Sequence, residues 1–429
     1  RSWSSHCLPK TAGLRLYVSD NLRGDPGTTC VLKLERPTAD STYIPMELKI
    51  TRGTIRTNPV PYYGMVDKNI GYIAISTFAI EGCSKDIKKA LIELKQQGAT
   101  SIVLDLRGNG GGLLSEAVNV VNFFVPKGKE IVVTKGKIKQ AGSTYKTSNE
   151  PIDMEIPLTV LVDGATASAA EIVSGSLQDL DRAVIVGNRT YGKGLVQVPR
   201  ELPYNSSMKV TTAKYYIPSG RCIQAIDYAK RNADGSVARI PDSLTTVFHT
   251  AAGREVRDGG GIRPDVEVKA ERFPNIMFYL LNDDMIFDYA TQYCIKHPNI
   301  GEVKDFSVTD ADYDDFKQML KKRNFTYDRQ SEKSLKNLKE IAEFEGYMEG
   351  ASEEFAALEK KLTHNLDHEL NRFSKQIRKA IAEEIVKRHY FQRGVILERM
   401  KDDADLTKAI ETLKDKEGYT KILSVPADK

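Results

Sequence analysis

The chain has 429 residues, 41% of them hydrophobic and 28% charged, with 62 basic against 58 acidic side chains for a net charge of +4. That length exceeds what one hydrophobic core holds, so two or three soluble globular domains are expected. The near-balance of charge gives no reason to invoke nucleic acid or an anionic membrane as partner, and no apolar run approaches the length of a membrane span.

The five cysteines, Cys7, Cys30, Cys83, Cys222 and Cys294, are isolated and odd in number, which argues against a metal site or a complete disulfide framework. The opening RSWSSHCLPK has neither an initiator Met nor the apolar stretch of a signal peptide, so no targeting address is expected within it. Residues 18–57 read as a short helix ending at Gly24, a Pro26-Gly27 turn and two alternating strands. In the second strand Met46, Leu48 and Ile50 alternate with Glu47 and Lys49, which predicts half-burial.

From 58 to 275 strands alternate with helices. GYIAISTF (71–78) reads as a strand, and Ile87, Leu91 and Leu94 mark one face of a helix. SIVLDL (101–106) is a buried strand running straight into RGNGGG (107–112). PLTVLVD (157–163) is another, followed by a loop and the helical run SAAEIVSGSLQDL (168–180). This alternation predicts an α/β layer whose functional groups sit at the carboxyl ends of strands. From 276 to 429 the texture is helical and highly charged. Phe355, Leu358, Leu362, Leu366, Leu370, Phe373, Ile377, Ile381 and Ile385 follow steps of three and four, one long apolar stripe. The stripe needs a partner; packing onto the core, homo-oligomerisation and a plain structural cap all stay open.

Two segments carry chemistry. In LVDGATASAAEI a strand delivers the chain into a tight turn, and Ser168 sits where a helix begins, with oriented N–H groups and a partial positive charge that favour an alkoxide or oxyanion. A serine hydroxyl needs a base to become a nucleophile. No histidine lies between His6 and His249, and although a Ser-His-Asp triad can assemble across sequence, nothing local supports one. Lys193, between two glycines in YGKGLVQ, is the other candidate base: backbone can close around its amine, and desolvation disfavours the ammonium. Gln197, four residues on, can accept a hydrogen bond from that amine and aim it without adding charge.

Competing motifs fail at one residue each. RGNGGG departs from a dinucleotide fingerprint because Leu113 stands where the third glycine belongs, and GNRTYGKG departs from a phosphate loop because Gly194 replaces the Ser/Thr that holds magnesium. His364 and His368 stand one helical turn apart, but Asn365 occupies the place of a metallopeptidase's glutamate, which leaves a solvated helical face.

Together ATASAAEI, TYGKGLVQ, DLRGNGGGLL, YYIPSGRCIQ and GIRPDVEV, in this order along the chain except that the DLR segment precedes them, resemble the carboxyl-terminal processing (tail-specific) serine peptidases, family S41. The resemblance runs from about 19 to 270. It implies an α/β core of crotonase- and Clp-like ββα-superhelix layers over 58–275, a partial PDZ domain before it over 18–57 and an α-helical C-terminal domain over 276–429, with 1–17 unassigned. It also implies Ser168 as nucleophile, Lys193 as base and Gln197 as its orienting partner, with backbone N–H groups of Gly112 and Ala169 as oxyanion donors and Gly111 as fallback for the first. Ala170 and Tyr191 depart from the family's Ser and Phe without removing a reacting group. The LRGDPGTTCVLKLERP segment resembles the closing half of a PDZ domain, which captures C-terminal tails by strand addition. Residues 1–17 do not resemble its first half, so the chain is expected to begin inside that domain, and peptide capture by the remnant is left unassigned.

The expected activity is endopeptidase cleavage near the C-terminus of protein substrates through an acyl-enzyme, with no cofactor or metal. The expected partners are protein or peptide substrates with exposed C-terminal tails; the periplasm or cell envelope is implied by resemblance alone. Two other classes stand beside this one: a non-catalytic peptide-binding scaffold that keeps the fold, and a crotonase-type acyl-CoA enzyme, which has no need of the Ser-Lys pair.

Overall fold

The computed structural model describes residues 19–38, 42–137, 142–204, 206–231, 237–269, 271, 273–327, 329–362 and 365–424. These fall into two compact units, one drawn from the stretches 1–55 and 271–401 and the other from 56–270 and 402–429.

The first unit contains a hairpin, β1 (Thr29–Pro37) and β2 (Tyr43–Thr51), paired antiparallel from Thr29 opposite Thr51 to Pro37 opposite Tyr43. The expected alternation is there, but of the three apolar residues only Met46 is partly buried, while Leu48 and Ile50 are exposed. The reason is that a two-stranded ribbon has no second layer to bury a face against.

The second unit is α/β. Its main sheet has six strands in the order β16-β9-β8-β5-β4-β3. The first members in chain order are β3 (Tyr62–Asp67), antiparallel to β4 (Ile70–Ala74), then α1 (Cys83–Gln96), β5 (Ser101–Asp105) and α2 (Leu114–Val121). A second, antiparallel sheet includes β6 (Glu130–Gly136) and β7 (Ser143–Lys146). The main sheet resumes with β8 (Leu158–Val162), α3 (Ala169–Asp179) and β9 (Val184–Gly187). A hairpin of β10 (Leu195–Leu202) and β11 (Ser206–Tyr216) then completes the second sheet, in the order β10-β11-β6-β7. Two small hairpins follow, β12 (Ile226–Arg231) with β13 (Val237–Arg239) and β14 (Val247–His249) with β15 (Glu255–Arg257), before β16 (Val266–Glu267) closes the main sheet's edge.

Every residue of β4, β5, β8 and β9 is buried, as parallel strands covered on both faces must be. Ile102 and Leu104 of β5 join the core formed with α1, α2 and α3, in which Ile87, Leu91 and Leu94 are fully enclosed. Val103 between them points the other way by strand alternation and is equally buried.

What covers that second face comes from the far end of the chain. The helices α4 (Asn275–Asn282), α5 (Met285–Lys296), α6 (Asp310–Lys322), α7 (Gln330–Phe344), α8 (Met348–Leu362), α9 (Leu366–Arg372) and α10 (Ser374–Met400) belong to the first unit. The next two, α11 (Ala404–Lys414) and α12 (Lys416–Leu423), return to the α/β unit, where α11 packs on β5, β8 and β9. The helical run from 276 to 429 therefore divides near 401. The long apolar stripe also divides: Asn365 caps α9 and Phe373 separates α9 from α10, so Leu370, Ile377, Ile381 and Ile385 share one buried core while Leu358 stays exposed.

Candidate active site

Three loops leave the carboxyl ends of three neighbouring parallel strands, β5, β8 and β9, and they carry the predicted residues. The first, after β5, is organised by Asn109, which is fully buried. Its side chain donates to Ile75 C=O at 2.8 Å and accepts from Gly111 N–H at 2.9 Å, while its own C=O accepts from Ala167 N–H at 2.9 Å. One asparagine thus ties the end of β4, the glycine loop and the loop of Ser168 together. Gly111 and Gly112 are at φ 93 and 150. A Cβ on Gly111 would sit 2.8 Å from both Ser168 Cβ and Ala169 N, and one on Gly112 would sit 2.1 Å from Ala79 N. Only glycine permits that closeness.

The second loop follows β8. Asp163 and Thr166 hold its turn, with Thr166 Oγ1 donating to Leu106 C=O at 2.8 Å. Ser168 then enters at φ 57 and ψ −118, a sparsely populated conformation for a residue with a Cβ, and α3 begins at once. Such strain is kept only where the surroundings over-determine it. Here they do: every residue of α3 is buried, and Ser168 itself is half-buried.

The third loop follows β9 and carries Lys193. What binds it to the second is Glu171, fully buried three residues beyond the serine. One carboxylate oxygen accepts from Ser168 N–H at 2.8 Å and Lys193 N–H at 2.9 Å; the other accepts from Thr190 Oγ1 at 2.5 Å and Gly192 N–H at 2.7 Å. Burial raises the Glu171 pKa to about 7, against the downward pull of these four donors. From β11 the buried Tyr215 phenol donates to the C=O of Ser168, at 3.2 Å, and to that of Lys193. Desolvation pushes this phenol well above its ordinary pKa, so it stays a donor.

Ser168, Lys193, Gly112 and Ala169 are therefore gathered at one place. No hydrogen bond is found for the N–H groups of Gly112 or Ala169 within the described residues, whereas that of Gly111 is committed to Asn109. Of the expected oxyanion donors, Gly112 and Ala169 are free and the fallback is not. Lys193 is half-buried, and its Nζ makes no hydrogen bond to Ser168 Oγ or to Gln197 among the described residues. Gln197 lies exposed on β10, just after a register shift between Val196 and Gln197. His364 lies outside the described residues.

Sequence reasoning gave no role to Glu171, Asn109, Thr190 or Tyr215. For Glu171 a signal existed: Ser-x-x-Glu at a helix start is the capping-box spacing. Tyr215 and Thr190 have no such local mark, because their partners lie on other strands.

Residues 69–230 match the family model Peptidase family S41, and residues 276–413 match Probable PDZ-protease, C-terminal helical domain. The second match covers the helical region for which the sequence reading had no counterpart. The Carboxy-terminal-processing protease of Bartonella bacilliformis is 38% identical over 213 residues, 48% of this chain and 47% of that protein. The Carboxyl-terminal-processing protease of Picosynechococcus sp. is 40% identical over 200 residues, 46% of each. The C-terminal processing peptidase, chloroplastic, of Tetradesmus obliquus is 34% identical over 247 residues, 54% of this chain and 51% of that one. The chain spans about half the length of these curated relatives.

Proposed function

We propose that this chain, a member of peptidase family S41, is a serine endopeptidase that cleaves protein substrates near their C-termini by a Ser-Lys mechanism. Ser168 Oγ attacks the scissile carbonyl as the free amine of Lys193 takes its proton. The N–H groups of Gly112 and Ala169 hold the resulting oxyanion. The ammonium of Lys193 returns the proton to the departing amine, leaving an ester on Ser168, and water activated by the same lysine hydrolyses it. Gln197 aims the amine once substrate covers the hairpin, since catalytic hydrogen bonds often tighten only in the substrate complex. The setting we propose, from the family resemblance alone, is the periplasm or cell envelope.

The observation that carries this reading is the contact between Gly111 and Ser168, which brings two uncommitted N–H groups beside a serine held at φ 57. Neither a tail-binding scaffold nor an acyl-CoA enzyme needs a serine held in that conformation beside a lysine loop. The test is cleavage of a loosely folded protein with an apolar C-terminal tail by the native chain, Ser168→Ala and Lys193→Ala. Cleavage by the native chain alone, with both variants folded, is expected. Inertness of the native chain across substrates and pH favours the scaffold; unchanged activity in either variant removes the dyad.

A further inference from the structure

Ser168 and Lys193 are joined twice through their backbones, by N–H groups to Glu171 and by carbonyls to Tyr215. The dyad chemistry proposed above asks for neither tie. Glu171 is the more demanding of the two, because it is a buried carboxylate with no ion pair among the described residues. All four groups aimed at it are donors: three N–H groups and the Thr190 hydroxyl, whose own oxygen accepts from Ile262 N–H at 2.7 Å and so turns its proton to Glu171. A carboxylate can accept all four. A carboxylic acid cannot, since its own proton then confronts one of them.

We infer that Glu171 is a positioning residue, an ionised clamp that locks the start of α3 to the lysine loop, so that the Ser168–Lys193 geometry is assembled only while this carboxylate is charged. The inference rests on the peptidase reading for its kinetic consequences but not for its structural ones. The titratable groups around the clamp are Tyr215 from β11, the Lys193 amine on the clamped loop and the Cys222 thiol beside Gly194; burial raises the pKa of both the phenol and the thiol, which keeps them neutral across the range in question. Glu171 itself is held near 7 by burial, so its protonation falls where activity is ordinarily measured. The sign follows. Above that value the clamp is charged and closed; as pH falls through it, the proton enters and the lysine loop is released, so activity drops on the acid side.

The test uses the full chain with Glu171→Gln and Thr190→Val. The glutamine amide replaces one acceptor oxygen by a donor and must fail one pair of partners. A displacement of the lysine loop of roughly 1 Å is expected to lower kcat about a hundredfold with little change in KM. The part of the acid limb that Glu171 sets should vanish from the residual activity. Thr190→Val removes one donor from the carboxylate and the acceptor of Ile262 N–H, so it costs some stability and rate at every pH; by making the charged form less favourable it should also move the limb to higher pH. A purely structural role for Glu171 would not move the limb. Glu171→Gln with the native rate and profile, or Thr190→Val with an unmoved limb, overturns the inference, and the second variant decides should the first not fold. If the native chain cleaves nothing, the peptidase reading has failed instead, and hydrogen exchange then judges the clamp. Peptides spanning 190–194 should exchange at least tenfold faster in whichever variant is folded than in the native chain at pH 8, and unchanged protection overturns it.

Discussion

The strand-end loops and the β10–β11 hairpin meet at Lys193, and they are built in opposite ways. On the strand side Asn109, Glu171 and Thr190 are buried and turn their hydrogen bonds on one another and on the backbone of neighbouring loops. On the hairpin side Gln197, Pro199, Arg200, Glu201 and Leu202 are exposed, and position is set by strand register with a single irregularity before Gln197. Lys193 belongs to both: its backbone N–H is fixed by Glu171 from the strand side and its C=O by Tyr215 from the hairpin. Backbone in this site is therefore over-determined, while the Lys193 side chain makes no hydrogen bond to Ser168 or Gln197 among the described residues. A substitution on the strand side should act through displaced backbone and cost both stability and rate. One on the hairpin should leave the fold alone.

The largest effect is expected at Gly112. A Cβ there meets Ala79 N and the Phe78 carbonyl carbon at 2.1 Å, so Gly112→Ala must push apart the short bridge between Phe78 and Gly112 and carry its N–H away from Ser168. Loss of one oxyanion donor costs about a hundredfold to a thousandfold in kcat. Steady-state kinetics on the variant checks this; a loss under tenfold would remove Gly112 from the oxyanion site.

A smaller effect, on stability first, is expected from the base of the same loop. Arg107 is gripped by Asp105 from its own strand and by Asp403 and Asp405 at the start of α11, with its Nη2 at 2.6 Å from both Asp105 and Asp403. Asp403 also caps α11 by accepting from Leu406 N–H at 3.0 Å. Asp403→Ala removes the cap and one arm of a partly buried ion cluster, together worth about 2 kcal/mol. Urea denaturation followed by circular dichroism should register that loss, with kcat lowered less than tenfold because Asn109, not Arg107, holds the donor loop. An unchanged midpoint would mean that α11 returns to the sheet by apolar packing alone.

That return was beyond reach of the sequence, and the reason is general. Leu406, Ala409 and Leu413 recur at helical spacing and so announce a helix with one buried face, but periodicity says nothing of which surface receives it. The strands at 70–74, 101–105 and 158–162 were legible because unbroken apolar runs of that length, bounded by turn signals, fit little else. The candidate residues were legible because their motifs are local: Ser168 and Lys193 each lie on one loop with its own glycines. Thr190 and Tyr215 reach Glu171 and the two backbones only through the order β9-β8-β5 and the pairing of β11 with β10, and strand order is not written in any single segment. The half-burial expected of Met46, Leu48 and Ile50 failed at Leu48 and Ile50 for a related reason: alternation specifies a face but does not supply the layer to cover it.

The smallest effect is expected at Gln197, where the hairpin's independence can be examined without disturbing the strand side. The register shift skips Thr212, since Val196 pairs with Ala213 and Gln197 with Thr211. An irregularity of this kind re-aims the side chain beside it, here the one four residues from Lys193. Because the Gln197 side chain is exposed and makes no hydrogen bond among the described residues, Gln197→Ala should leave stability within about 0.5 kcal/mol of native. The hydrogen bond proposed above between Gln197 and the amine with substrate in place would be worth about 1 to 1.5 kcal/mol, so kcat should fall roughly fivefold to tenfold with the pH of the acid limb unmoved. Kinetics across pH 5 to 9, beside the melting curve, separates this from the clamp: a shifted limb would mean that the hairpin reaches Glu171 after all, and a collapsed melting curve that Gln197 holds the ribbon and not the base.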